Sequence, residues 1–180
     1  IGTWMQNVVL GGLAYTLTKS AVFIGIMTAA QLGPLLVFSM VGGMLADAFD
    51  RRWLMFGVQI YFVTVATLLA ILTWQGMMPP ALLLAFTFAV GAGQAKMTPT
   101  WQSLIPELVP RDEVPAATRL DMVSVNVSRA AGPALAGLII AAWGVPPVFA
   151  LNALCGVVLL VVLLAWRRQR TVSGERERFL

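Results

Sequence analysis

The sequence predicts an all-α fold, a polytopic membrane bundle of six transmembrane helices, and three observations carry that prediction. Of 180 residues, 59% are hydrophobic and only 11% charged, and the mean hydropathy is +0.84. The apolar residues fall into six long runs, each near the roughly 20 residues that cross a hydrocarbon core. The charges gather where those runs end. Continuous runs argue against a transmembrane barrel, whose strands alternate apolar and polar residues.

In chain order, the first span covers Ile1 to about Thr18 and holds two adjacent amides, Gln6 and Asn7. The chain opens without a methionine, a basic segment or a cleavage site, so it reads as a fragment starting inside this span rather than as a signal peptide. Amides in a span avoid lipid. They either bond to neighbouring helices or contact a substrate. Lys19-Ser20 makes an outer turn. The second span, about Ala21 to Ala46, carries Gln31 and Gly33-Pro34; the third, about Trp53 to Trp74, is nearly all apolar and is expected to face lipid. An uncharged turn at Gln75–Pro80 leads to the fourth span, about Ala81 to Leu104, which carries Gln94 and Lys96. The segment Pro106–Pro115 suits an interfacial loop with a single helical turn. The fifth span runs from about Arg119 to Trp143 and the sixth from Val148 to Trp166, after which Arg167, Arg168 and Arg170 open a polar tail. The domain reading is therefore a bundle over 1–166 and a cytoplasmic linker over 167–180.

Inner loops and ends hold Arg51, Arg52, Arg111, Arg119, Arg167, Arg168 and Arg170, whereas outer turns hold only Lys19. The positive-inside rule then places both chain ends in the cytoplasm. A net charge of +4 confined to segment ends is no nucleic-acid footprint. With no histidine and one cysteine, Cys155, metal sites, disulfides and His-dependent nucleophile chemistry have no basis. No cofactor is implied, and the lack of paired deep carboxylates argues against an intramembrane protease.

The loop between the second and third spans concentrates the polar signal. Asp47 falls at a helix C-terminus, where the macrodipole disfavours an acid, so it calls for a compensating cation or another helix N-terminus. Gly43, Asp47, Arg51 and Arg52 resemble the G-x-x-x-D-R-x-G-R-R loop of the major facilitator superfamily, with Ala48 and Asp50 departing from it. In the fifth span, Ser128, Gly132 and Ala136 are small and four apart, making one smooth ridge for close helix packing. With Pro133 and Gly137, this stretch resembles that superfamily's antiporter motif, g-x-x-x-G-P-x-x-G-G. Pro99–Pro110 looks like the fourth helix end of its enterobactin-exporter-like and macrolide-exporter-like branch. Thr87 stands near the place of the family's usual arginine.

The resemblance implies the N-terminal half of a twelve-helix transporter, built as two inverted three-helix repeats in a bacterial inner membrane. Gly33-Pro34 and Gly132-Pro133, each in the middle helix of a triplet, fit such repeats. It implies export of a drug-like or siderophore-like small molecule by alternating access, driven by proton antiport. The implied partners are the bilayer, the substrate and the C-terminal six-helix half. Gly43, Asp47, Arg51 and Arg52 would form a cytoplasmic gate. Helices one, two, four and five would border the cavity, with three and six facing lipid. Gln6, Asn7, Gln31, Gln94, Lys96, Asp121 and Arg129 are the candidate cavity or charge network. Lys96 and Arg129 either join a gate network with Asp47, Glu107 or Asp121, or wall a site for an anionic or polar substrate. No acid lies deep in a span, so the sequence itself shows no coupling group. The alternative reading is a truncated or accessory membrane module that assembles or regulates and does not transport.

Overall fold

The computed structural model describes the backbone of residues 1–48 and 51–165, and the side chains of these except at 38–48, 51, 52 and 107. Six α-helices account for nearly all of it: α1 (Gly2–Thr18), α2 (Ala21–Ala48), α3 (Arg51–Trp74), α4 (Pro80–Leu108), α5 (Val114–Trp143) and α6 (Pro146–Ala165). The chain folds as an all-helical membrane bundle. Among the described residues, four helical stretches are long and apolar enough to cross a bilayer, Trp53–Trp74, Pro80–Pro106, Val114–Trp143 and Pro146–Ala165. α1 has 17 residues, and the apolar stretch of α2 with described side chains is Ala21–Val37.

Two helices run past the ends that the sequence suggests. α4 continues through Pro106 to Leu108, and α5 starts at Val114, so the expected Pro106–Pro115 loop shrinks to the residues between them. The reason is local. Pro115 occupies the first turn of α5, where its missing N–H would have no helical partner anyway and its fixed φ favours the helix. At 30 residues, α5 is about 45 Å long, well beyond a hydrocarbon core of about 30 Å, so one end projects into the headgroups or beyond. Nor do the internal prolines divide their helices. α2 passes Pro34 and α5 passes Pro133 as single elements, as membrane helices tolerate when neighbours re-satisfy the freed backbone groups.

The turns are made where the chain needs left-handed backbone. Gly76 and Gly144 have φ of 68° and 82°, and Lys19 closes α1 at φ 49° with its N–H bonded to the Tyr15 carbonyl. These short connections hold consecutive helices antiparallel.

Packing is organised by pairs. α2 lies on α4, α1 on α5, and α3 on both α4 and α6, while α1 also reaches α2, α4 and α6. The remaining touching pairs are α4 with α5, α5 with α6 and α2 with α3. Exchanging α1 with α4, α2 with α5 and α3 with α6 maps this whole set of pairs onto itself. The core is centred on Met5, Val9 and Leu10 of α1, Val58, Phe62 and Leu69 of α3, Leu83 and Val90 of α4, and Phe149 of α6. One stripe of α3 is therefore buried, and only its other side (Ile60, Leu68, Ile71, Trp74) is exposed as the sequence suggests for the whole helix. By contrast, α5 leaves most of its surface outside the bundle, including Leu120, Val123, Val127 and Leu138.

Candidate functional site

Several of the polar side chains predicted to matter meet at α1. Gln31 of α2 donates from Nε2 to Asn7 Oδ1 at 2.9 Å, and Asn152 of α6 donates from Nδ2 to Gln6 Oε1. Adjacent residues of α1 thus bridge to two different helices, α2 and α6. Gln6 is almost completely buried, at 2% exposure. Its Nε2 and that of Gln94 are buried without a hydrogen-bond partner among the described residues. Such donors in an apolar interior cost free energy until something accepts from them. Gln6, Gln31 and Gln94 lie about 15–21 Å from the Thr18, Ala21 and Pro80 ends of their helices at 1.5 Å per residue. The amides therefore form a level within the bundle rather than scattered points.

Two of the three charged residues of α5, Arg129 and Asp121, are held by tryptophans. The Arg129 guanidinium lies over the Trp4 ring of α1, 4.8 Å from its centroid, a cation–π geometry worth about 0.5–2 kcal/mol. Asp121 Oδ1 accepts from the Trp101 indole of α4 at 3.0 Å. Asp121 and Arg129 are about two turns apart on α5, so each is tied to a different neighbour. Trp4, Trp101 and Asn152 are partners that sequence reasoning missed. Only Asn152 carries a signal there, as a lone amide in the apolar run of α6.

Close helix approaches are made by glycine. A Cβ at Gly132 would sit 2.7 Å from Trp4 Cβ and 3.3 Å from the Met5 backbone nitrogen, so α5 presses directly on α1 there. Ala136, one turn on, is also fully buried, Ser128 is half-buried, and Pro133 and Gly137 face outward. α2 and α4 meet even more closely. A Cβ at Gly91 would fall 2.2 Å from the Gln31 carbonyl oxygen, whereas Gly33 has no atom nearby.

Lys96 belongs to a different place. It lines a cavity of about 320 Å³ between α3 and α4, together with Trp53, Gly57, Tyr61 and Gly93. Thr87 is buried on α4 and its hydroxyl donates to the Leu83 carbonyl at 2.8 Å, within its own helix. Gly43 and Asp47 fall in the last turns of α2, and Arg51 and Arg52 open α3. The side chains of those four, and of Glu107, lie outside the described residues, as does the tail from Trp166. No group of three or more metal-ligating side chains occurs among the described residues.

A bundle of long apolar helices with buried amides and glycine-mediated helix contacts defines a polytopic membrane protein. The chain belongs to the transmembrane secretion effector family of the major facilitator superfamily, whose pattern matches residues 1–180. It is similar to the staphyloferrin A transporter of Staphylococcus aureus, with 28% identity covering 91% of this chain and 42% of that protein. It also resembles macrolide efflux protein A of Enterococcus faecalis, at 24% identity over 79% of this chain and 45% of that protein. The protein of the same name from Streptococcus pyogenes is 23% identical over 81% of this chain and 36% of its own length. The chain thus spans less than half the length of each of these relatives. All three are named as transport or efflux proteins, and none as an enzyme. No solved structure matches the chain.

Proposed function

We propose that this chain is one half of an exporter that moves a drug-like or siderophore-like small molecule across a bacterial plasma membrane by alternating access. The carrying observation is the set of touching helix pairs, which is unchanged when α1–α3 and α4–α6 are exchanged. That supports two three-helix repeats of opposite direction, the architecture in which one rigid unit rocks against another around a site at mid-membrane. The exposed faces of α2 and α5 are then the surfaces available to a C-terminal six-helix half. The amide level of Gln6, Asn7, Gln31 and Gln94 supplies hydrogen-bonding groups at transport depth. The basic residues of the Arg51, Arg111 and Arg167 regions orient both ends of the chain to the cytoplasm.

Proton antiport is the coupling we favour. Asp47, Glu107, Asp112, Glu113 and Asp121 all lie near the inner ends of the helices, so a deep protonatable group, if transport uses one, would lie in the other half.

The test is accumulation of a radiolabelled macrolide and of a ferric-free siderophore in an efflux-deficient bacterium expressing the full-length protein. The reading requires lower accumulation of at least one compound than in cells with empty vector, and collapse of that difference when a protonophore is added. Equal accumulation of a broad set of compounds, with the protein verified in the membrane, would favour the accessory-module reading. A difference that survives loss of the proton gradient would overturn the antiport part alone.

A further inference from the structure

The cavity between α3 and α4 is lined by other residues than the amides that meet at α1. Its floor is smooth, because Gly57 of α3 and Ala92 and Gly93 of α4 carry little or no side chain. Trp53 and Tyr61 flank it, about 12 Å apart along α3 at 1.5 Å per residue. Tyr61 is fixed, with its hydroxyl donating to the Ala89 carbonyl of α4 at 2.8 Å, which closes that end. Trp53 is 63% exposed and stands in the first turn of α3, the position of an interfacial anchor. Gly57 is exposed and a Cβ there would meet nothing within 4 Å, so the fissure opens sideways from the bundle. Lys96 contributes a cation to a lining that is mostly apolar among the described residues. Its long apolar stem lets the ammonium reach towards the headgroups.

We propose that this fissure is a binding site for an anionic phospholipid. One acyl chain lies along the Gly57/Gly93 floor between the two aromatic rings, and the headgroup phosphate sits beside Lys96 and Trp53. Basic pockets between transmembrane helices on the cytoplasmic side are suited to anionic headgroups, and a volume of about 320 Å³ lies in the range of small-ligand sites. Assignment to the inner leaflet rests on the orientation proposed above. The binding itself does not.

The experiment is tryptophan quenching by acyl-brominated lipids in nanodiscs holding the full-length protein. Trace brominated phosphatidylglycerol is compared with trace brominated phosphatidylcholine in a phosphatidylcholine background. Subtracting the signal of Trp53→Phe isolates the contribution of Trp53. The expected result is a preference for phosphatidylglycerol of about fivefold, the scale of one cation near the headgroup plane. Lys96→Gln should abolish that preference while leaving general quenching in place. Gly57→Leu, whose Cβ would meet nothing within 4 Å, narrows the floor and should reduce quenching by both lipids. Equal quenching by the two lipids in the unmodified protein overturns the proposal. So does an undiminished preference in Lys96→Gln, or displacement of the brominated lipid by an added macrolide, which would make the fissure a substrate entrance. Cysteine labelling from each side of the membrane tests the orientation separately, so its failure is distinguishable from loss of lipid preference.

Discussion

At the scale of single residues, two glycines five positions apart in one helix have opposite roles in the packed bundle. Gly132 has Trp4 and Met5 of α1 within contact of where its Cβ would stand, whereas Gly137, also in α5, has nothing within 4 Å. Gly132→Leu should therefore destabilise the protein by about 1–3 kcal/mol, as overpacking does, and Gly137→Leu should be close to neutral. Thermal unfolding in detergent, followed by size-exclusion fluorescence, reads both. A similar loss in both variants would mean that position 137 is covered by another part of the full-length protein. The Asn7–Gln31 bond permits a sharper measurement. A double-mutant cycle with Asn7→Ala and Gln31→Ala should give a coupling of about 0.6 kcal/mol, and no more than about 1.7 kcal/mol, the range for hydrogen bonds between membrane helices. Zero coupling would show that the two amides bond elsewhere in the bilayer.

Among the elements, the turns decide orientation, and they also decide where a probe belongs. Gly76 and Gly144 have positive φ, so a cysteine there would strain the turn it is meant to report on. Gln75 is exposed beside Gly76 and avoids that strain. In a background with Cys155→Ser, Gln75→Cys should react with a membrane-impermeant maleimide added to intact cells. Arg111→Cys should react only after the membrane is opened. Labelling of position 111 from outside would reverse the orientation. The prolines carry a second lesson at this scale. Pro34, Pro99, Pro106 and Pro133 all lie inside helices, because in lipid a helix that stopped would expose still more unpaired backbone. Sequence signals that end helices in water are weaker here than the bilayer's demand for internal hydrogen bonds.

For the whole molecule, the proposed gate predicts a shift between conformations rather than a loss of folding. If Asp47 stabilises the outward-facing state through a base or helix N-terminus of the other half, Asp47→Asn removes the charge and keeps the size. The inward-facing population should then rise by about tenfold for each 1.4 kcal/mol of differential interaction lost. Export should fall with the protein still in the membrane, while Asp50→Asn serves as the neighbouring control. Matched, near-wild-type transport and inside-versus-outside accessibility in both variants would leave the loop as an orientation signal alone. A solvated ion pair, at about 0–1 kcal/mol, predicts that second outcome.

The existence of the helices, and most of their ends, was legible in the sequence because the bilayer imposes long apolar stretches and pushes charge to their termini. The family was legible too, since Gly43, Asp47, Arg51 and Arg52 and the Gly132-Pro133 ridge occur at fixed spacings. Which face of each helix meets which neighbour was not legible. In water, a polar stripe marks the side that avoids the core. Here lipid and protein interior are equally apolar, so α3 could carry Val58, Phe62 and Leu69 inward and Ile60, Leu68 and Ile71 outward with no periodic trace. Only the tertiary structure decided that Gly132 presses on α1 while Gly137 stands open. It also decided that Arg129 stacks on Trp4 while Asp121 takes the Trp101 indole. Contacts of that kind depend on shape and hydrogen-bond geometry between segments far apart in the chain, and hydropathy records neither.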